Sequence, residues 1–289
     1  MRVEIAPGIR LFFDVEGAAL VPDGPRLRRR PTLILLHGGP GADHSIYKPA
    51  FSSLSDLAQV IYLDHRGNGR SHIGGPEDWT LDRWADDLAA FCDALEIEAP
   101  VIYGASFGGF VAQAFAIRHP DRVAGLILSN TSARYDFEAI YAAFGRIGGP
   151  EARAAAEGYW GDPTAESRAR YHAVCLPLYA RTPPDADAWA RIQLRNDVAL
   201  HFNGPKNEQG RFDFRGALQN LPAPVLLMAG EDDPVTPVEF SDVIAEGLAP
   251  ERLTYIRVPG ARHMLMADAP DAVLAALREF LQALPEPAG

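Results

Sequence analysis

The sequence predicts an α/β protein: a doubly wound, mostly parallel sheet that is interrupted by one long helical insertion. Short apolar runs bounded by turn residues recur along the chain, as is typical of buried parallel strands. Helix-like segments lie between these runs, and such alternation indicates a doubly wound sheet. The predicted strands are residues 3–5, 9–15, 33–36, 60–63, 101–103, 126–129, 225–229 and 254–258, and the predicted helices are residues 81–95, 110–118, 238–248 and 270–284.

The alternation of strand and helix stops between residues 132 and 220. This stretch is rich in Ala, Arg, Glu and aromatic residues, and it predicts helices that are broken at Gly148-Gly149-Pro150 and at Pro183-Pro184. We therefore expect a core made of residues 1–131 and 221–289 and a helical part made of residues 132–220. Near the N-terminus, the composition of residues 22–31 indicates a turn-rich connector.

Composition and charge narrow the classes of function. Of the 289 residues, 47% are hydrophobic and 22% are charged, which is ordinary for a globular protein. The net charge of −11 argues against nucleic acid or an anionic membrane as a partner, because both bind basic surfaces. No apolar stretch approaches the roughly 20 residues that span a membrane, and no signal-like segment opens the chain.

The two cysteines, Cys92 and Cys175, are too few for a disulfide framework or a four-ligand metal site. We expect both to be buried free thiols in a cytoplasmic protein, because the cytosol is reducing. The eight histidines are scattered without the spacing of a metal motif, so no metal and no other cofactor is predicted.

The strongest chemical signal is the pentapeptide Gly104-Ala105-Ser106-Phe107-Gly108, which lies between a predicted strand and a predicted helix. In this context G-x-S-x-G is a nucleophile elbow, a sharp turn that exposes the serine hydroxyl above the sheet. The turn is so tight that the residues two positions before and after the serine, Gly104 and Gly108, need to lack a side chain. Ser106 is therefore the candidate nucleophile.

A serine hydroxyl is a weak nucleophile, so a histidine must accept its proton and a carboxylate must orient that histidine. The order in the chain should be Ser, then acid, then His. Asp233 lies on a Pro-rich loop after the predicted strand 225–229, although the adjacent Asp232 is an alternative. His263 follows the predicted strand 254–258. We therefore predict a triad of Ser106, Asp233 and His263.

An acyl-transfer site also needs N–H donors for the oxyanion that forms in the transition state. The amide of Phe107, directly after the nucleophile, is one candidate. The other is Gly39, in the sequence His37-Gly38-Gly39-Pro40-Gly41 after the predicted strand 33–36. Pro40 has no N–H and cannot donate. His37 precedes the serine, so we expect it to bond the neighbouring loop rather than act as the base.

These motifs resemble the α/β-hydrolase superfamily and, within it, the proline iminopeptidase-like branch. The residues that carry the resemblance are the HGGPG sequence at 37–41, Asp64-His65-Arg66-Gly67-Asn68-Gly69-Arg70-Ser71, the elbow, and Asn203-Gly204-Pro205. The resemblance implies that the helical part is a cap over the active site. It also implies an aminopeptidase that releases a small N-terminal residue, such as proline, from a short peptide or other small molecule.

The resemblance further implies that two acids hold the free α-amino group of the substrate, and Glu208 and Glu231 are the candidates. Two positions depart from the branch's pattern: Phe107 stands where Trp is usual, and Glu208 lies one residue further from Asn203-Gly204-Pro205. Two alternatives stay open. The same triad could hydrolyse esters, lactones or small amides, or the chain could be a non-catalytic binding protein with a hydrolase fold. The oligomeric state is not predicted.

Overall fold

The computed structural model describes residues 1–183 and 185–286. Within this range the main sheet has eight strands, and a separate hairpin has two. In chain order the strands are β1 (Arg2–Ala6), β2 (Ile9–Glu16), β3 (Leu20–Asp23), β4 (Arg26–Arg29), β5 (Thr32–Leu36), β6 (Gln59–Leu63), β7 (Val101–Ala105), β8 (Gly125–Ser129), β9 (Val225–Gly230) and β10 (Leu253–Val258).

The main sheet has the strand order β1-β2-β6-β5-β7-β8-β9-β10. Strands β1 and β2 are antiparallel to their neighbours, whereas every pairing from β6 to β10 is parallel. The prediction of a mostly parallel sheet is therefore confirmed. Because the carboxyl ends of parallel strands meet at one edge, the loops after β5, β7, β8, β9 and β10 lie close together.

The described helices follow the strands as the alternation predicted. They are α1 (Leu81–Ala94), α2 (Phe107–Arg118), α3 (Phe137–Gly161), α4 (Ala165–Val174), α5 (Ala186–Arg191), α6 (Asn196–Phe202), α7 (Glu208–Arg211), α8 (Val238–Glu246), α9 (Leu265–Asp268) and α10 (Pro270–Ala283). In the part of the chain described, none of these helices has the length and apolar character needed to cross a membrane.

Both faces of the sheet are buried, so alternate residues of each strand enter different cores. In β5, Ile34 and Leu36 belong to the buried cluster that includes residues of α1, α2 and α8, whereas Leu33 and Leu35 belong to the cluster that includes residues of α10. Burial on both faces explains why the strands are continuous apolar runs rather than alternating ones. The doubly wound arrangement is confirmed.

The helical insertion contains α3 to α7 and lies between β8 and β9. Gly149 has a φ of 77° and kinks α3 directly before Pro150, which confirms the predicted break there. The other predicted break falls partly on Pro184, which is outside the described residues. Aromatic side chains of the insertion, among them Phe144 and Phe202, belong to the same core as one face of the sheet. The domain boundaries stay a prediction.

One local expectation was wrong and one was confirmed. Residues 22–31 are not only a connector, because β3 and β4 pair as an antiparallel hairpin there. The hairpin was missed because its strands are largely exposed and lack alternating apolar residues. Cys92 and Cys175 are free and buried, as predicted, and burial raises the pKa of each thiol to about 12.

Candidate active site

Ser106 lies at the turn between β7 and α2 with φ 53° and ψ −121°, a strained conformation for a residue with a side chain. The glycines on either side have no space for a side chain. A Cβ on Gly108 would overlap the carbonyl oxygen of Leu36, and a Cβ on Gly104 would overlap the carbonyl of Gly108. The sequence folds into this turn because only glycine permits such close approach of the backbone.

Asp233 and His263 are in direct contact. The Nδ1 atom of His263 donates to Oδ2 of Asp233 at 2.8 Å. The carboxylate is fully buried, and its Oδ1 accepts from the amides of Val235 and Thr236 at 2.7 and 3.0 Å. The Thr236 hydroxyl donates to Oδ2 at 2.7 Å. With Nδ1 as donor, Nε2 of His263 is left free to accept a proton.

The neighbouring acids are directed elsewhere. Asp232 forms an ion pair with Arg181 and is 42% exposed at its side chain. Glu231 is exposed, and within the described residues its side chain forms no hydrogen bond or ion pair. Of the two aspartates that the sequence left open, the structure therefore brings Asp233, and not Asp232, to the histidine.

Within the described residues, the Ser106 hydroxyl is not hydrogen-bonded to His263. The two residues are instead linked through Asn130, whose carbonyl accepts the amide of Ser106 at 3.1 Å. The side-chain amide of Asn130 donates to the carbonyls of Arg262 and His263, at 2.8 Å each. Its side-chain oxygen accepts from Gly230 at 2.8 Å. Asn130 thus connects the loops of the nucleophile, the acid and the histidine.

Sequence reasoning missed Asn130. It follows β8 directly and has a φ of 42°, a left-handed conformation that asparagine tolerates better than most residues. An asparagine at the carboxyl end of a buried strand could have indicated a functional residue. The segments that it binds, however, lie up to 133 residues away in the sequence, so no local pattern predicts these bonds.

The two predicted oxyanion donors lie on the loops after β5 and β7, which are adjacent strands. Phe107 is the first residue of α2, so its amide has no acceptor within the helix. The loop of Gly39 passes against the nucleophile: a Cβ on Gly38 would stand 3.6 Å from the Cβ of Ser106. The roles of both amides stay a prediction.

The side chain of Phe107 is fully buried in an aromatic cluster. Its ring centroid lies 4.8 Å from that of Trp84, 5.2 Å from that of Phe202 and 5.5 Å from that of His65. Since Phe202 belongs to α6, the residue after the nucleophile joins the core to the insertion. The Phe107 side chain therefore contributes to packing between the core and the insertion.

His37 has the structural role that its position predicted. Its Nδ1 donates to the carbonyl of Gly38 at 2.8 Å, and its Nε2 accepts the amide of His65 at 3.3 Å. Burial lowers the pKa of His37, and burial also holds the pKa of His65 well below its usual value. Both imidazoles are therefore neutral near pH 7.

The loop after β6 is ordered by buried polar side chains. Asp64 accepts the amides of His44 and Arg70, at 2.9 Å each. Asn68 accepts the amide of Gly41 at 2.7 Å, which ties this loop to the glycine-rich loop after β5. These bonds make residues 64–71 a structured loop.

Glu208 is hydrogen-bonded rather than free. Its Oε1 accepts the amide of Leu81 at 3.2 Å, at the start of α1, and its Oε2 lies 3.6 Å from Arg211. A carboxylate at a helix N-terminus is stabilised by the unpaired amides there. Glu208 thus joins the insertion to the core, and contact with a substrate amine would compete with these bonds.

A cleft of about 380 Å³ opens between the insertion and the histidine loop. Leu176, Ala180 and Trp189 of the insertion line it, and so does Met264, the residue after His263. The volume is within the range of small-molecule sites. The wall is mostly apolar, and Arg181 is its charged member.

A parallel sheet with a strained serine after β7 and a bonded acid–histidine pair on later loops is typical of the serine hydrolases. The sequence profile of the α/β-hydrolase fold matches residues 31–270, which is most of the chain. The chain therefore belongs to the α/β-hydrolase fold family, and it is a hydrolase-type enzyme.

Individual relatives agree with this assignment. The proline iminopeptidase PfmaB of Pestalotiopsis fici is 28% identical over 94% of this chain and 99% of its own length. The putative carbamate hydrolase RutD of a Caulobacter species is 29% identical over 94% of this chain and 95% of its own. The crystal structure of proline iminopeptidase from Mycobacterium smegmatis has a TM-score of 0.76 at 23% identity and covers 98% of this chain and 97% of that one. The resemblance to the proline iminopeptidase-like branch is thus confirmed.

Proposed function

We propose that this enzyme hydrolyses acyl bonds through Ser106, His263 and Asp233. The observation that carries the proposal is the 2.8 Å hydrogen bond from Nδ1 of His263 to the buried carboxylate of Asp233. This bond selects the imidazole tautomer whose Nε2 can accept a proton. The hydrogen bonds of Asn130 join the elbow that carries Ser106 to the histidine loop.

The reaction then has two halves. Nε2 of His263 takes the proton of Ser106 as its Oγ attacks the acyl carbon, and the amides of Gly39 and Phe107 stabilise the oxyanion. The protonated imidazole, stabilised by Asp233, gives its proton to the leaving group, which leaves an acyl-enzyme. Water activated by His263 then attacks the acyl carbon and releases Ser106.

For the substrate, we propose a short peptide or amide with a free, small N-terminal residue, as in an aminopeptidase of the proline iminopeptidase type. The named relatives support this choice. Glu231 is an exposed carboxylate only two residues from Asp233, where it could pair with an ammonium group. Such a pair about 4 Å apart attracts by roughly 4 kcal/mol at an effective dielectric of 20, before desolvation is subtracted.

A second candidate is the hydrolysis of esters, lactones or small amides with the same triad. The hydrogen bond of Glu208 to Leu81 favours it, because that carboxylate already has a partner. The similarity to a putative carbamate hydrolase also supports a non-peptide substrate.

A panel of substrates separates the two candidates. Proline and alanine anilides, p-nitrophenyl acetate and several lactones would be tested with the wild type and with Ser106→Ala. The aminopeptidase proposal predicts anilide cleavage that the variant loses. Turnover of esters or lactones without anilide cleavage favours the second candidate, and turnover that survives Ser106→Ala contradicts both.

Glu231→Gln tests the amine-binding role directly. We expect it to raise KM for free-amine anilides by roughly tenfold, the equivalent of about 1.4 kcal/mol, and to leave ester hydrolysis unchanged. Glu239→Gln, at an exposed acid in α8, is the matched control. An equal loss on amine and ester substrates would contradict this role.

A further inference from the structure

The insertion contacts the histidine loop through residues 179–182, which we call the latch segment. The carbonyl of Tyr179 accepts the amide of Met264 at 2.9 Å. The ring of Tyr179 meets the imidazole of His263 edge to face, with centroids 5.1 Å apart and planes at 82°. The latch segment therefore touches the proposed general base.

Asp268, at the end of α9, binds both sides of this contact. Its Oδ1 accepts the amides of Arg181 and Thr182 in the latch segment, at 2.7 and 2.9 Å. Its Oδ2 accepts the amide of Arg262, the residue before His263, at 2.8 Å. One half-buried carboxylate thus fixes three backbone amides. Hydrogen bonds from amides to a carboxylate are stronger than those between neutral groups.

We propose that Asp268 is a positioning residue that fastens the latch segment to the histidine loop and thereby sets the position of the His263 imidazole. The proposal rests on the proposed function, since it concerns the base of that reaction.

The other contacts of the histidine loop bind different atoms from those that Asp268 binds. Asp233 holds the ring at Nδ1, and Asn130 binds the carbonyls of Arg262 and His263 from the sheet side. The amide of Arg262 is held by Asp268, and Tyr179 covers the imidazole only while the latch segment is in place. Loss of the carboxylate frees the amide of Arg262 and removes two of the bonds that hold the latch segment, whereas the Tyr179–Met264 bond and the Arg181–Asp232 ion pair remain. A displacement of about 1 Å at a catalytic group can slow a reaction by about 100-fold.

The rate of modification of Ser106 by a fluorophosphonate tests the proposal, because this step needs the base but no natural substrate. We expect Asp268→Ala to slow it roughly 10- to 100-fold and Asp268→Glu to recover part of the rate. Thr182→Pro removes one amide donor from the other side of the contact, so it should cause a smaller slowing in the same direction. Asp271→Ala, at an exposed acid in the first turn of α10, is the control.

Circular dichroism and thermal unfolding would confirm that each variant is folded. A rate for Asp268→Ala within about twofold of the Asp271→Ala rate would overturn the proposal. So would an equal slowing by folded Asp268→Ala and Asp268→Glu, because the presence of a carboxylate would then make no difference to the rate.

The proton on Nδ1 of His263, observed by NMR and assigned through its loss in His263→Ala, gives a readout without catalysis. We expect this proton to exchange faster with water in Asp268→Ala than in the wild type, and unchanged exchange contradicts the positioning role. If wild-type Ser106 is not modified by the fluorophosphonate, the proposed function fails, and the exchange measurement still decides the role of Asp268.

Discussion

The nucleophile elbow of the α/β core and helix α3 of the insertion differ in how closely other parts of the backbone approach them. In the core, Gly104 and Gly108 stand against carbonyl groups that cannot move without disturbing the sheet. In the insertion, Gly149 and Gly158 have no neighbour within 4 Å of a hypothetical Cβ among the described residues, their own helix apart. The elbow is thus determined by contact between backbones, whereas α3 is open at these two glycines and packs through side chains, several of them aromatic.

This difference explains where sequence motifs occur. A backbone contact allows only one residue type, so it leaves a readable pattern such as G-x-S-x-G. Packing between large side chains tolerates several residue types of similar volume, so it leaves no recognisable sequence pattern. The contact between Tyr179 and His263 is an example of such packing, because no pattern in the sequence predicts it.

We expect the largest effect on kcat from substitution of Asp233, which binds His263 of the core, and little effect from substitution of Asp232, which binds Arg181 of the insertion. In Asp233→Asn, the amides of Val235 and Thr236 still require the side-chain oxygen, so the new NH₂ group faces His263. The histidine must then accept at Nδ1 and carry its proton on Nε2, where it cannot act as a base. We expect kcat to fall by about 10,000-fold.

Asp232→Asn provides the control, since it only weakens a partly exposed ion pair with Arg181. Such pairs contribute little, so kcat should stay within about threefold of the wild type. Steady-state kinetics on any turned-over substrate would measure both variants. Comparable losses would mean that the acid was assigned to the wrong residue.

The second effect compares two glycines. Gly108→Ala places a methyl group against the Leu36 carbonyl and should reduce the free energy of unfolding by about 3 kcal/mol. Gly158→Ala, on an exposed turn of α3, should raise it by about 0.5–1 kcal/mol, because alanine is the better helix former. Urea denaturation measures both. Equal destabilisation would remove the proposed contrast between the regions.

The smallest effect concerns acid sensitivity. Burial lowers the pKa of His172, in the insertion, from 6.5 to about 4, and burial lowers that of His37 in the core. The unfolded chain binds protons before the folded one, so stability is complete above pH 6.5 and declines as the pH falls towards 4. His172→Gln should remove on the order of 1 kcal/mol of this decline, after allowance for its partial exposure.

The measurement is the free energy of unfolding at several pH values between 7 and 4. The wild type and His172→Gln should differ in slope only below pH 6.5, and a residual slope should persist because His37 and His65 are in the core. If the free energy of unfolding of the two proteins has the same pH dependence, His172 does not contribute to the acid sensitivity.

The site was predicted as far as local patterns reach. The elbow, the acidic loop after β9 and the histidine after β10 were all readable, because glycine, proline and strand ends determine local backbone geometry. The choice between Asp232 and Asp233 was less direct, since adjacent side chains on a loop differ only in direction. The bonding of Glu208 to Leu81 joins residues 127 positions apart, and no local signal could predict it.

The sequence alone determined the doubly wound sheet, the strained serine and the order of the candidate triad, because apolar period and backbone sterics act over a few residues. The tertiary structure decided which acid meets His263, that Asn130 joins three loops and that Asp268 binds the latch segment to the histidine loop. These contacts depend on which strands are neighbours. That order is set by the folding of the whole sheet and not by any segment of it.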